Sequence, residues 1–148
     1  MISPERLRRF PHCAGASYDM LQQVAVLANE HSFKAGEHLF EEGAPATHLL
    51  MLESGAVDII YTLAGGRQVT LDTVVEGDLL AWSALLEPHK LTATGVARGD
   101  GVMIKVEAEP LRRLCQDNPE YGFLMMKQVA NTLRSRLTAT RVQLAAMS

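Results

Sequence analysis

The chain has 148 residues, 47% hydrophobic and 21% charged, with a formal charge of -3. That length suits one domain with its own core, and that composition gives no reason for disorder. The slight acidic balance offers no bulk attraction to phosphate backbones, so a nucleic-acid role needs a local basic patch.

In chain order, Pro4 opens a brief helical turn through Phe10, which Pro11 and then Gly15 interrupt. Cys13 and the distant Cys115 have no C-x-x-C partner, so neither a zinc knuckle nor an iron–sulfur cluster is indicated. MISPERLRRF lacks the apolar stretch of a signal peptide and no apolar run reaches about eighteen residues. A cytoplasmic protein with reduced thiols and no membrane contact is expected. Ser17 to Glu30 begins on a capping serine and places Met20, Leu21, Val24, Leu27 and Ala28 on one face, predicting an amphipathic helix. Residues 1–30 thus read as a helical N-terminus.

From Phe33 to Val106 short apolar segments alternate with glycines, the mark of an all-β sandwich, roll or barrel over residues 31–106. HLLML, AVDIIYT, RQVTLDTVV and GVMIKV are its clearest strands. Gly65 and Gly66 supply the positive backbone dihedrals of a hairpin turn between the second and third of these. Residues 107–148 turn helical again, first as EAEPLRRLCQDN, with Glu107 and Glu109 at its start and Pro110 in its opening turn. Asn118 is the expected N-cap of a last, long helix. Along it Met126, Ala130, Leu133, Leu137, Thr140 and Leu144 recur at spacings of four and three, the seam of a two-stranded coiled coil. The first half of this stripe is expected to pack on the β region and the second half to pair with a copy of itself, giving a homodimer. No linker or internal repeat divides the chain, so residues 1–148 read as one domain.

Helices, a glycine-punctuated β region, then a short and a long helix is an order that, with FKAGEHLFEEGAPATHLLMLESGAVDII and TLDTVVEGDLLAWSALL, resembles the cyclic-nucleotide-binding domain. This is the sensory half of the Crp/Fnr transcription regulators. Gly36, Gly43 and Gly55 match the turns of its roll, and Gly77-Asp78 the lead into its phosphate-binding cassette. The resemblance covers nearly the whole chain. It implies a mainly β fold with flanking helices (α+β): a double-stranded β-helix or jelly-roll-like β-roll, N-terminal helices and a long C-terminal helix. It also implies a regulatory module and not an enzyme; some sensors of this superfamily ligate haem or metal, but no cofactor or metal is expected here.

The family's cassette runs close to F-G-E-L and, further on, R-[ST]-A. Backbone N–H groups and the Arg hold the cyclic phosphate, and the Glu holds the ribose hydroxyl. Here those positions read Leu80, Ala81, Trp82 and Ser83, then Leu91, Thr92 and Ala93. Loss of the Arg removes a charge-assisted contact worth about 1.5–3 kcal/mol, and loss of the Glu removes the sugar anchor. A register shifted by one residue brings Lys90 to the Arg position as a point charge without the fork, whereas Thr92-Ala93 fit the unshifted register. Arg136 and Arg141 are the candidates for a cation facing the pocket because the family's equivalent helix covers the bound nucleotide, and Arg136 joins the candidate ligand-binding set.

Three readings follow. The first is a stand-alone sensor for a small or nucleotide-like ligand other than cyclic AMP. The second is an interaction and dimerisation module whose pocket its own side chains fill, with Trp82 as the plug. The third is a regulator fragment lacking its DNA-binding domain. The chain ends at Ser148, where a helix-turn-helix would begin, so direct DNA binding is not expected. His12, His31, His38, His48 and His89 show no metal-ligand spacing, and no nucleophile–base pair supports an enzyme.

Overall fold

In the computed structural model, which describes residues 1–147, each N-terminal turn begins at a residue suited to it. Ser3 caps α1 (Pro4–Arg8), Pro11 opens a 3-10 turn (Pro11–Cys13), and Ser17 Oγ accepts from the Met20 N–H at 3.2 Å to start α2 (Tyr18–Val26). The buried face of α2 is Met20, Leu21, Val24 and Ala25.

The helix predicted through Glu30 stops at Leu27, and Ala28–Phe33 forms β1, so the roll begins three residues earlier than residue 31. β8 (Gly101–Glu107) captures those backbone groups, pairing in register from Ala28 with Val106 to Phe33 with Gly101. Leu27 and Ala28 alone carried the helical pattern there, and ladder bonds outweigh so short a periodicity.

The remaining strands are β2 (His38–Phe40), β3 (His48–Ser54), β4 (Ala56–Thr62), β5 (Gln68–Val75), β6 (Leu79–Leu80) and β7 (Thr94–Ala97). They form two antiparallel sheets, in the order β1-β8-β3-β6 and β2-β7-β4-β5. β3 is buried on both faces. Met51 meets His12 of the N-terminal turn, and Leu50 and Leu52 point to the opposite side. Close approach is built into one junction, where a Cβ on Gly101 would lie 2.4 Å from the Ser54 carbonyl oxygen.

The hairpin between β4 and β5 forms where predicted, but only Gly66 has a positive φ, 84°. Within it Ile59 faces Asp72 and Ile60 faces Thr70, which leaves Leu71 as the extra residue of a β-bulge.

α3 (Ala108–Asp117) and α4 (Pro119–Ala146) complete the chain. Asn118 holds the N-cap position of α4 without a side-chain bond; its carbonyl accepts from the Gly122 N–H at 3.0 Å. Tyr121, Met125 and Val129 are the buried residues of α4. They form a stripe distinct from Met126, Ala130, Leu133, Leu137, Thr140 and Leu144. Met126 and Ala130 are exposed, so the first half of that second stripe does not pack on the roll as expected.

Candidate functional site

β6 delivers Leu80 to the interior, and Ala81, in the left-handed region at φ 54° and ψ 40°, turns the chain into a 3-10 helix, Trp82–Leu85. Ala81 stands where the resemblance places glycine, the residue that adopts this conformation without a steric cost. Arg112 of α3 braces the helix by donating from Nη1 to the Ala84 carbonyl at 2.6 Å.

The return path is zipped to the loop after β2. Leu91 donates its N–H to the Ala44 carbonyl at 2.9 Å and accepts from the Gly43 N–H at 2.8 Å, while the Ala46 N–H donates to the His89 carbonyl at 2.8 Å. A β-bridge between Pro45 and Lys90 lies between them. This pairing turns Leu91 inward, 8% exposed, and leaves Lys90 on the surface.

Between cassette, roll and α4 lies a cavity of about 130 Å³. Leu80, Ala81, Trp82, Ser83, Leu91, Thr92, Ala93 and Arg136 all border it; Lys90, of the predicted set, and Arg141, the second cation expected to face the pocket, do not. Four lining residues were missed by sequence reasoning: Phe40, Ile59, Leu71 and Leu79. The alternation along β4 was a legible signal for Ile59, whereas Leu71 reaches the cavity through the bulge.

Among the described residues Arg136 is the one charged group on the cavity wall, and no carboxylate lines it. Its Nη1 donates to Asp72 Oδ2, and Asp72 Oδ1 accepts from the Thr73 N–H at 2.8 Å. The two side chains are 21% and 29% exposed. Further along α4, Gln143 Nε2 donates to the carbonyls of Thr70 and Leu71 at 3.1 and 2.7 Å, so the bulge's backbone oxygen is satisfied by the helix.

On the other side of Arg136 a second, polar cleft of about 270 Å³ includes His12, Asp72, Thr73, Asp78, Asn131 and Ser135. Burial pushes His12 down to about 4 and Cys13 up to about 12. Among the described residues no group of three His, Cys, Asp or Glu side chains gathers to hold a metal ion, and no helix is long and apolar enough to cross a membrane.

Two antiparallel sheets rolled together, a strand–short helix–loop cassette lining their cavity and a long helix laid beside it define a domain of the cyclic-nucleotide-binding type. The chain belongs to the cyclic nucleotide-binding domain family, whose model matches residues 30–118. A solved structure of a candidate cyclic nucleotide-binding protein from Geobacter metallireducens GS-15 superposes with a TM-score of 0.82 at 30% identity, covering 93% of this chain and 99% of that one.

Two regulators are more distant in sequence. The CRP-like cAMP-activated global transcriptional regulator of Mycobacterium tuberculosis is 24% identical over 69% of this chain and 46% of its own length. The anaerobic regulatory protein of Bacillus subtilis is 23% identical over 80% of this chain and 50% of its own. The chain therefore spans about half the length of the regulators it matches.

Proposed function

We propose that this protein is a regulatory sensor domain whose β-roll binds a small ligand other than cyclic AMP or cyclic GMP, and that it works as a homodimer joined through α4. The observation that carries the reading is the place of Leu91. Its apolar side chain lines the cavity where the family pattern puts the phosphate-binding Arg, and the loop pairing turns Lys90 away from it. Trp82 stands in the sugar-anchoring position, so neither charge that the family uses to hold a cyclic nucleotide is supplied by the cassette. Size supports the same reading, since pockets for drug-sized ligands occupy about 300–1,000 Å³ and this one about 130 Å³.

A thermal-shift screen of the whole chain against cyclic AMP, cyclic GMP and a panel of small metabolites tests it, because a ligand that binds only the folded state raises the melting temperature. The expected result is no shift with either cyclic nucleotide and a saturable shift with a smaller compound. A calorimetric dissociation constant below about 10 μM for cyclic AMP, close to 7 kcal/mol of binding free energy, overturns it.

A second reading is favoured by the exposed stripe of α4, in which Met126, Leu137 and Leu144 are 40%, 50% and 68% exposed. On it the domain is an interaction module that needs no ligand. A screen silent for every compound, together with a stable dimer, selects that reading.

A further inference from the structure

The residues that line the roll cavity are apolar except Ser83, Thr92, Arg136 and the indole N–H of Trp82, and its volume of about 130 Å³ is close to a single ring or a short branched chain. For scale, an apolar cavity of about 150 Å³ holds benzene. A buried charge needs a partner, and Arg136 is the only charged partner on this wall among the described residues. A cation therefore finds no counter-charge on this wall, and a dianion is left with one charge unpaired in an apolar lining. A monoanion finds one guanidinium and surrounds the rest of its body with Leu71, Leu91 and Trp82. A carboxylate is the anion whose two oxygens match the planar guanidinium fork.

Arg136 is already engaged, and the engagement has a specific origin. The bulge at Leu71 places Leu71 on the cavity wall and its neighbour Asp72 beside the polar cleft, where Arg136 Nη1 donates to it. Arg136 thus borders both the apolar cavity, which lacks an anion, and the polar cleft, which holds its carboxylate partner.

We propose that the roll cavity takes a compact, mostly apolar monocarboxylate, and that its carboxylate binds Arg136 in competition with Asp72. The proposal rests on the reading of the roll as a small-molecule site and names the chemistry of its ligand. Among the described residues two polar ties hold the distal part of α4 to β5, and occupancy weakens one of them, the other being Gln143 on the bulge carbonyls. The ligand is in this way sensed by the helix that carries the exposed apolar stripe.

Trp82 is the chain's one tryptophan and borders the cavity, so its fluorescence reports occupancy. Benzoate and isovalerate are titrated against their uncharged isosteres, benzamide and isovaleramide. The benzoate and isovalerate arms also tell a ring from a branched chain as the preferred body. At least one carboxylate is expected to bind tenfold or more tightly than its amide. Arg136→Gln is expected to abolish that preference, and circular dichroism with a cooperative thermal melt shows that the variant is folded. Asp72→Asn, with the competing carboxylate removed, is expected to tighten carboxylate binding severalfold. Amides that bind as well as the carboxylates, or a preference that survives Arg136→Gln, overturn the proposal and leave the small-molecule reading standing. Silence from all four probes also overturns it, and the small-molecule reading fails with it only if the wider metabolite screen is silent too.

Discussion

Arg112 of α3 donates to the Ala84 carbonyl at 2.6 Å, and Ala84 is fully buried, so the helix that follows the roll is bonded directly to the cassette that lines its cavity. Arg112→Met removes the donor and leaves a buried carbonyl without that bond. A hydrogen bond from a charged group contributes about 1.5–3 kcal/mol, and a loss of that size is expected in urea unfolding. A variant within about 0.5 kcal/mol of the parent would show that water replaces the guanidinium at no cost.

Ala81 turns the chain at φ 54°, where a Cβ is unfavourable. Glycine relieves the contact and gives back part of the gain as unfolded-state entropy, so Ala81→Gly is expected to stabilise by about 0.5–1 kcal/mol. Ala81→Val, β-branched at a positive φ, is expected to destabilise by more than about 1 kcal/mol. Thermal melts of the pair check the sign of both changes.

His12 is 4% exposed, with Nε2 2.9 Å from Met51 Sδ, and burial pushes it down to about 4 from an ordinary value of 6.5. The unfolded chain therefore binds the extra proton between those values, and stability that is full above pH 6.5 is lost as pH falls toward 4. The loss from this group is about 3 kcal/mol between pH 7 and pH 4. His12→Gln should start less stable at pH 7 and fall less steeply. Parallel acid slopes in parent and variant would falsify this assignment.

Leu137 lies in the exposed stripe of α4, and the hydroxyl of Thr140 already donates to the Arg136 carbonyl at 2.9 Å, so the stripe's polar member has its bond within the helix. Sedimentation of the parent at tens of micromolar protein is expected to give a dimer. Leu137→Glu puts two carboxylates in the seam, at a cost of about 3 kcal/mol or more, and should give a folded monomer. A monomeric parent, or a variant that remains dimeric, removes α4 as the dimer interface.

Much of the fold was legible because local sterics carry it. Ser17 starts α2, the segments 56–62 and 68–75 alternate as β4 and β5, and a glycine pair joins them, since capping, period and turn chemistry act over a few residues. In the cassette, Thr92-Ala93 were enough to favour the register that brings Leu91 inward. What stayed hidden depended on partners far along the chain. β6 and β7 are too short to show a period, and β1 is a strand because β8 lies beside it. Arg136 was a candidate from its helix, yet its partner Asp72 is 64 residues away and was reached only through a bulge that no local pattern marks. Short-range order follows from backbone sterics and side-chain alternation, which the sequence displays residue by residue. The facing of Arg136 and Asp72 follows from how the sheets and α4 pack, which only the tertiary structure decides.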